Sequence, residues 1–438
     1  MEITDKFKKM KSFLKKLLLF KLAFFAKAIL KKYRPDIIGV TGSVGKTSAK
    51  DAIYTVLAPK FSVRRNVKNY NNEIGLPLTI IGSETGGSSV SDWLGVFAKA
   101  IKLLLWRDKK YPGILVLEMG VDRVGDMKYL TSLAPCKVGV VTTVAPVHLE
   151  YFKTLEKIAR EKSVIVTHLR KDGWAILNGD NEYIMAMAGN IKAKIMTYGF
   201  GKDCDISASE VNISQNSEQE VCGLNFKLSY NGSTVPVLLP NILGEHLIYA
   251  ALSAAAAAVA YGMNLLEISE ALRDFIAPRG RMNLISGIKG TYIIDDTYNA
   301  GPDSMEAAIN TLGKIKTRAD KYAVLGDMLE LGDYTEEGHR RIGRAIWENG
   351  IGYLITVGER AKLIAAEALN CGMDSDNIYS FDNSAEAGRF IQGRIKAGDF
   401  ILVKGSQGMR MEKATKEIMA EPLRAQELLV RQDKSWTT

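Results

Sequence analysis

The segment IIGVTGSVGKTSAKDAIYTVL, Ile37–Leu57, decides the fold. An apolar run, Ile37–Val40, leads into the turn TGSVGKTS, and a helical stretch follows. Glycines let backbone N–H groups turn toward a phosphate, Lys46 can neutralise its oxygens, and the Thr47 hydroxyl can reach Mg²⁺. Only the GxxGK[ST] core is matched, because Val40 stands where the strict pattern has its first glycine. The segment predicts a nucleotide-binding loop, and the alternative is an ordinary glycine-rich turn between a strand and a helix. The candidate nucleotide ligands are Gly42, Ser43, Gly45, Lys46, Thr47 and Ser48.

Further apolar runs alternate with helical stretches on both sides of a short linker, APRGRMN, Ala277–Asn283. The candidate strands are Ile114–Leu117, Val138–Val144, Tyr292–Ile294, Tyr322–Leu325, Leu354–Val357 and Phe400–Val403. Such alternation is typical of parallel sheets with crossover helices. Between about residues 195 and 240 the pattern changes to short strands, with Asn231-Gly232 as a hairpin signal. The predicted fold is α/β: a P-loop central domain with a mostly parallel sheet (residues 35–278) and a C-terminal Rossmann-like α/β domain (279–438), preceded by a basic helix (1–34).

The net charge is concentrated at the N-terminal end of the chain. The 438 residues hold 58 basic and 49 acidic side chains, a difference of +9. Residues 1–34 alone hold 11 basic and two acidic side chains, also +9, so the rest is formally neutral. A basic groove for nucleic acid is therefore not expected. Four scattered cysteines argue against disulfides and structural zinc and favour a reducing cytoplasm, and four histidines leave little room for a transition-metal centre.

The basic segment has no glycine or proline before Pro35, which predicts a helix. Its longest uncharged run is five residues, Leu22–Ala26, whereas a spanning helix needs about 20 apolar residues. A signal peptide also fits poorly, because lysines interrupt the apolar part. The segment favours a helix on an anionic membrane surface, with the protein cytoplasmic and peripheral on the inner face of the membrane. The alternative is a helix packed on the body of the protein or on a partner.

Seven motifs in order along the chain resemble the Mur ligases, which form amide bonds with ATP in peptidoglycan synthesis. They are the stretches NYNNEIGLPLT (Asn69–Thr79), LEMG (Leu117–Gly120), HLE…IAREK (His148–Lys162), PRGRMN (Pro278–Asn283), IIDDTYNAGPDSM (Ile293–Met305), GDMLELG (Gly326–Gly332) and VKGSQGMRME (Val403–Glu412). The motifs are most similar to the branch that adds D-alanyl-D-alanine to UDP-N-acetylmuramoyl-tripeptide. The resemblance implies ATP and Mg²⁺ as cofactors, a muramoyl-peptide precursor and D-alanyl-D-alanine as partners, and a monomer.

The resemblance also implies roles for individual residues. The catalytic residues that the resemblance implies are Lys46, His148, Lys162 and Arg281. The implied metal ligands are Thr47, Glu118, His148 and Lys162. Lys162 would bind the metal as a carbamate. Those implied at the nucleotide include His246, Arg281 and Asp296, and those implied at the peptide substrates are Asn71, Asn72, Lys404 and Ser406. Read from the residues alone, simpler alternatives remain: a solvated acid at Glu118, a hydrogen-bonded histidine at His148, a surface lysine at Lys162, turn-forming asparagines and strand-end caps.

Three features depart from the family pattern. Ala250 and Gly301 stand where the family often has asparagine. The phosphate loop begins at residue 41, so the front domain that binds the uridine nucleotide is expected to be missing, which puts the UDP moiety of the substrate in question.

The expected chemistry is phosphorylation of a peptide carboxylate by ATP, followed by attack of an amine on the acyl phosphate. The rival interpretations are another ligase of this superfamily acting on a substrate without UDP, and a non-catalytic nucleotide-binding scaffold at the membrane surface.

Overall fold

The chain forms two compact units in a computed structural model that describes residues 2–67, 70–87, 89–145, 152–216, 220–433 and 436, with side chains from Lys16 onward. The first unit comprises Met1–Glu210, Phe226–Val237 and His246–Phe275, and the second comprises Val211–Asn225, Leu238–Glu245 and Ile276–Thr438. The chain thus passes between the units more than once near residues 211–245, where the sequence predicts short strands.

The elements up to residue 272 begin with the basic helix. They are α1 (Glu2–Tyr33), β1 (Asp36–Thr41), α2 (Lys46–Leu57), β2 (Val63–Arg65), α3 (Gly75–Ile81), α4 (Val90–Leu105), β3 (Ile114–Glu118), α5 (Asp126–Leu133), β4 (Val138–Val141), α6 (Leu155–Thr167), β5 (Trp174–Asn178), α7 (Glu182–Met185), β6 (Lys194–Gly199), β7 (Ile206–Gln215), β8 (Val221–Tyr230), β9 (Ser233–Pro240), α8 (His246–Ala260) and α9 (Leu265–Leu272). Their strands form one sheet in the order β2-β3-β1-β4-β5-β6-β7-β8-β9. The pairs from β2 through β7 are parallel.

The elements of the C-terminal part are again alternating strands and helices. They are β10 (Asn283–Ser286), β11 (Tyr292–Asp296), α10 (Pro302–Lys314), β12 (Lys321–Gly326), α11 (Thr335–Glu348), β13 (Tyr353–Val357), α12 (Lys362–Asn370), β14 (Ile378–Phe381), α13 (Ser384–Gln392), β15 (Phe400–Lys404), α14 (Glu412–Ile418) and α15 (Ala425–Leu428). The sheet order is β10-β11-β15-β12-β13-β14, with β10 antiparallel to β11 and the other pairs parallel. The predicted α/β fold with mostly parallel sheets is confirmed.

The turn between β8 and β9 confirms the hairpin signal. Asn231 and Gly232 both have positive φ, 46° and 78°. Positive φ at both central residues gives the turn the twist that matches the flanking strands, and asparagine followed by glycine tolerates it best.

The position of β1 determines where a ligand can bind. It lies between β3 and β4, so the strands that follow β1 in sequence are found on both sides of it in the sheet. In open parallel sheets such a change of direction leaves a crevice at the carboxyl ends of the strands. The loop after β1, the end of β3 and the end of β4 therefore meet at one edge of the sheet.

Helix α1 packs on the body of the first unit through one of its faces. Leu22, Ala26 and Ile29 are fully buried in the core beside α3 and α4. For this face of the helix, the alternative prediction of packing on the body of the protein therefore holds. Among the described residues, none of the helices combines the length and apolarity needed to cross a bilayer.

Candidate active site

The loop after β1 has a shape that only glycine allows at two positions. Gly42 and Gly45 have φ values of 154° and 82°. A Cβ on Gly42 would stand 1.9 Å from the Thr142 Oγ1 atom, which itself donates a hydrogen bond to the carbonyl of Val44 at 2.6 Å. Thr142 directly follows β4, so the contact that fixes the loop comes from the end of the neighbouring strand. The predicted cradle for phosphate is thus built by tertiary contact as well as by local sequence.

Lys46, the first residue of α2, bends back over this loop. Its Nζ atom donates to the carbonyl oxygens of Gly42 at 2.8 Å and Ser43 at 3.3 Å. Ser43 is held in turn by reciprocal hydrogen bonds with the Ala145 backbone, both at 3.0 Å. A fixed positive charge and the N-terminus of α2 therefore lie at the same point, an arrangement that favours an anion.

Glu118 is buried at the end of β3 and joins two other predicted site residues. One carboxylate oxygen accepts a hydrogen bond from the Thr47 hydroxyl at 2.9 Å, and the other accepts one from the Asn71 amide at 3.1 Å. The Glu118 backbone N–H donates to Asn66 Oδ1 at 2.8 Å, which fixes the strand end. Lys50 Nζ lies 4.0 Å from the carboxylate. Glu118 is only 4% exposed, so the alternative of a solvated acid is wrong.

Lys162, on α6, is a buried amine rather than a surface lysine. It is 3% exposed and lies on the buried side of this helix. The pKa of Lys162 falls from 10.5 to about 7, first because burial disfavours the ammonium and second because of the positive charge of Lys46. Glu161 and Asp122 oppose this shift. A large fraction of the amine is therefore neutral near pH 7, which is the form that can react with CO₂.

The metal prediction is only partly covered by the described residues. His148 lies outside them. Within the ranges given above, no group of three His, Cys, Asp or Glu side chains is arranged to hold a metal ion. The oxygens of Glu118 and Thr47 are nevertheless in contact, and carboxylate and hydroxyl oxygens are the ligands that Mg²⁺ prefers.

The remaining predicted residues of the first unit have more local roles. The Asn72 side chain accepts from the backbone N–H groups of Ile74 at 3.1 Å and Gly75 at 3.0 Å, so it forms the turn before α3. Ser48 is buried in the first turn of α2. His246 is exposed at the first residue of α8.

In the second unit, Arg281 is held by an aromatic ring. Its guanidinium carbon lies 4.3 Å from the centre of the Tyr298 ring. The backbone N–H of Tyr298 donates to the Gly280 carbonyl at 3.0 Å, which ties the two segments together. The Arg281 Nε atom is buried and has no hydrogen-bond partner among the described residues. A buried guanidinium N–H without an acceptor is costly, so this atom is a candidate to bind an anion.

Asp296 and Lys404 form a buried ion pair. Strand register places them side by side on β11 and β15, and the Lys404 Nζ atom lies 2.6 Å from Asp296 Oδ2. Lys404 also donates to the Asn299 carbonyl at 3.0 Å, while Asp296 accepts from the Met282 N–H at 3.2 Å. Ser406, just beyond β15, accepts from the Leu329 N–H at 2.8 Å. The separate roles predicted for these residues at the nucleotide and at the dipeptide stay predictions.

Sequence reasoning missed two residues of this region. Tyr298 lies inside the motif IIDDTYNAGPDSM, and its position over Arg281 cannot be predicted from the spacing of residues. Asp295 is fully buried, and its pKa rises from 3.8 to about 7, mainly because burial disfavours the carboxylate, against an opposing hydrogen bond from Thr297. Its Oδ2 atom has no partner in the described part of the chain. An acid directly before Asp296 at a strand end was the only available signal.

Comparison with known proteins identifies the family. The description "Mur ligase middle domain" matches residues 99–258, and "Mur ligase, glutamate ligase domain" matches residues 280–407. The UDP-N-acetylmuramoyl-tripeptide–D-alanyl-D-alanine ligase of Bacillus subtilis is 32% identical over 398 residues, which are 91% of this chain and 79% of that protein. A crystal structure of MurF from Acinetobacter baumannii superposes with a TM-score of 0.74 at 27% identity, covering 91% of this chain and 79% of that one. The MurF ligase of Thermotoga maritima in complex with ADP gives 0.71 at 25% identity, covering 91% and 83%. The chain therefore belongs to the Mur ligase family of ATP-dependent amide-bond-forming enzymes.

Proposed function

We propose that this protein adds D-alanyl-D-alanine to the terminal carboxylate of a muramoyl-tripeptide precursor with the consumption of ATP. The observation that carries the proposal is the contact of Thr47, Glu118 and Asn71 beside the phosphate loop, with buried Lys162 in the electrostatic range of Lys46. A nucleotide-binding scaffold has no need for a buried carboxylate joined to the loop threonine. The substrates are inferred from relatives whose names state them.

The residues present fit a nucleoside triphosphate with Mg²⁺. At Gly42 a Cβ would stand 1.9 Å from the Thr142 Oγ1 atom, so the turn of this loop requires glycine there. Lys46 would hold the terminal phosphates, and Thr47 and Glu118 would hold the metal ion. When bound, Mg²⁺ supplies positive charge that offsets the charge of the phosphates.

The proposed reaction has two steps. A carboxylate oxygen of the peptide attacks the γ-phosphorus, the bond to the β–γ bridging oxygen breaks, and ADP leaves. The amine of D-alanyl-D-alanine then attacks the acyl carbon, the phosphate leaves with the electron pair, and the amine loses a proton. The first step brings two anions together, so the charge of Lys46 would stabilise it. The role of Arg281 as a ligand of the nucleotide stays a prediction.

We also propose that Lys162 is carbamylated. The neutral amine attacks the carbon of CO₂, a proton is released, and the product carries a carboxylate-like group. This reaction needs the unprotonated amine, and the pKa of about 7 makes it available at neutral pH. The product would replace a positive charge next to Lys46 with oxygens suited to a metal ion.

The test of the ligase function is release of phosphate with a panel of acceptors. The panel is D-alanyl-D-alanine, glutamate and single amino acids, crossed with muramoyl tripeptides that carry UDP or do not. Release that requires D-alanyl-D-alanine supports the proposal. Release with glutamate alone favours another activity of the superfamily, and none with any acceptor favours a scaffold.

The matched variants are Lys46→Ala and Lys60→Ala. The first removes the lysine of the loop and should lower phosphate release by about 100-fold or more. The second removes an exposed lysine that pairs with Glu267 at 2.8 Å and should leave the rate unchanged. Equal rates for both variants would refute the role of the loop.

We further propose that the protein works in the cytoplasm and that its basic helix, residues 1–34, contacts the anionic inner face of the membrane. Support comes from the charge of this segment, 11 basic against two acidic residues, and from the exposed outer side of α1 at Phe20 and Phe24. Full-length protein should bind anionic vesicles more strongly than a variant lacking residues 1–15, and equal binding would contradict the contact.

A further inference from the structure

Helix α4 carries an apolar stripe that faces away from the core of the first unit. Val90, Leu94, Ile101 and Leu105 follow one another at intervals of four, seven and four residues, which places them on one side of a helix. Their exposed fractions are 75%, 65%, 45% and 66%, and Trp106, directly after the helix, is 65% exposed. The opposite side is buried through Val96, Ala100 and Leu103. Exposed apolar patches of this kind mark interaction sites.

Helix α1 has the same division into a buried and an exposed side. Phe20 and Phe24 are 70% and 59% exposed, whereas Leu22, Ala26 and Ile29 are fully buried. The two phenylalanines are four residues apart and therefore lie next to each other on the outer surface. Exposed aromatic residues on a helix are costly in water unless another phase or partner covers them.

The two helices lie side by side and run in the same direction. The rings of Phe25 and Phe97 are 5.7 Å apart, and at the other end Lys32 Nζ donates to the Leu103 carbonyl at 2.9 Å. Tyr33 donates to the Trp106 carbonyl at 3.1 Å. The sequence offset is 72, 71 and 73 residues in these pairs, so the register is nearly constant along both helices. Since both helices turn their buried sides toward the same core, their outer stripes point the same way.

The surroundings of this double stripe are strongly basic. Residues 16–34 and 90–110 together hold 11 basic and two acidic side chains. The exposed basic residues are Lys16, Lys21, Lys27, Lys31, Arg34, Lys99, Lys102, Arg107, Lys109 and Lys110, and the acidic ones are Asp92 and Asp108. A second copy of this chain would bring like charges together, which disfavours a dimer through this face. Apolar and aromatic side chains between lysines are instead the composition that suits the interface of an anionic bilayer.

We propose that the outer sides of α1 and α4 form one membrane-docking face, in which the stripe of α4 enters the lipid interface beside the basic helix. The inference rests on the contact of residues 1–34 with a membrane proposed above, and it adds a second helix. With two parallel helices in contact, the face fixes the orientation of the first unit on the membrane, which a single helix would leave free to rotate about its own axis.

The test is sedimentation of the full-length protein with vesicles containing about one third anionic phospholipid, compared with purely zwitterionic vesicles. The variant is Leu94→Glu combined with Leu105→Glu. Its matched control is Leu266→Glu combined with Ile276→Glu, which changes two exposed apolar residues elsewhere by the same charge. We expect the α4 variant to bind anionic vesicles at least about tenfold more weakly and the control to bind as the wild type does, because an interfacial helix binds through its apolar side.

A second readout follows the tryptophan at the end of α4. Fluorescence of the wild type should shift to shorter wavelength when anionic vesicles are added, and the Trp106→Phe variant should lose most of this shift. Phosphate release in solution should be the same for all these variants, since neither helix stripe belongs to the phosphate loop.

The outcomes separate this inference from the proposal on which it rests. If the α4 variant and its control bind equally while loss of residues 1–15 weakens binding, the α4 face is refuted and the contact of the basic helix stands. If the wild type binds no anionic vesicle, both are refuted. If the wild type is a dimer that the α4 variant converts to a monomer, the face joins two copies and the membrane inference is overturned.

Discussion

Replacing Lys162 with methionine should stabilise the fold and abolish ligation. The side chain is 3% exposed, and its pKa is lowered from 10.5 to about 7, mainly by burial and next by the charge of Lys46. Methionine has a similar length and no charge, so it fills the same space without the cost of burying an ammonium. Ligation should be lost because the proposed carbamate can no longer form.

The magnitude follows from the difference in proton binding between the folded and unfolded chains. Between about pH 7 and pH 10.5 the unfolded chain keeps a proton that the folded chain has lost, so the stability of the wild type rises with pH in this window. Below pH 7 both forms are protonated and the full penalty is present. At about 1.4 kcal/mol for each pKa unit, the upper limit of that penalty is about 5 kcal/mol.

Relaxation and water entry reduce the cost of a buried charge, so we expect a gain of about 2–4 kcal/mol for Lys162→Met at pH 7. The gain should fall by roughly half at pH 9.

The assay is equilibrium unfolding in urea from pH 6 to pH 9, in buffers free of CO₂ so that the amine stays unmodified. The control is Lys50→Met, at a lysine that is equally buried but lies 3.3 Å from Asp51. Loss of the Lys50 ammonium removes one of two cations beside Asp51, and the other, Arg65, remains at 3.1 Å. The Lys50→Met variant should therefore be less stable than the wild type by about 2 kcal/mol. Our reasoning fails if both variants lose stability alike, or if the gain of Lys162→Met does not change with pH.

Three further changes test other parts of the molecule. Gly42→Ala would place a Cβ 1.9 Å from Thr142 Oγ1 and should weaken binding of a fluorescent ATP analogue by at least about tenfold, so an unchanged Kd would contradict the cradle. Burial raises the pKa of Asp295 from 3.8 to about 7, so the wild type loses stability as pH rises from about 4 to about 7. Asp295→Asn should therefore raise the free energy of unfolding by about 2 kcal/mol at pH 8 and leave it unchanged at pH 4, as measured by urea unfolding. Arg431→Ala removes one of two arginines paired with buried Glu412 and should cost about 3 kcal/mol; thermal unfolding with an unaltered Tm would exclude this role.

The sequence alone determined the features that depend on neighbouring residues. The phosphate loop and the helix after it were readable because glycine and lysine at fixed intervals act through local backbone geometry. The parallel sheets followed from the alternation of apolar runs with helical stretches, and the Asn231-Gly232 turn followed from the positive φ that these two residues tolerate. The excess charge of residues 1–34 needed only counting.

The tertiary structure alone decided which of these residues meet. Glu118 reaches Thr47 across 71 residues of sequence, and Lys404 reaches Asp296 across 108. Neither contact has a signal in spacing, because each depends on the order of strands in a sheet. Burial of Lys162, which lowers its pKa, is likewise a property of packing. From the sequence alone, a helical lysine beside Glu161 is expected to be solvated, and only the tertiary structure shows that it is buried.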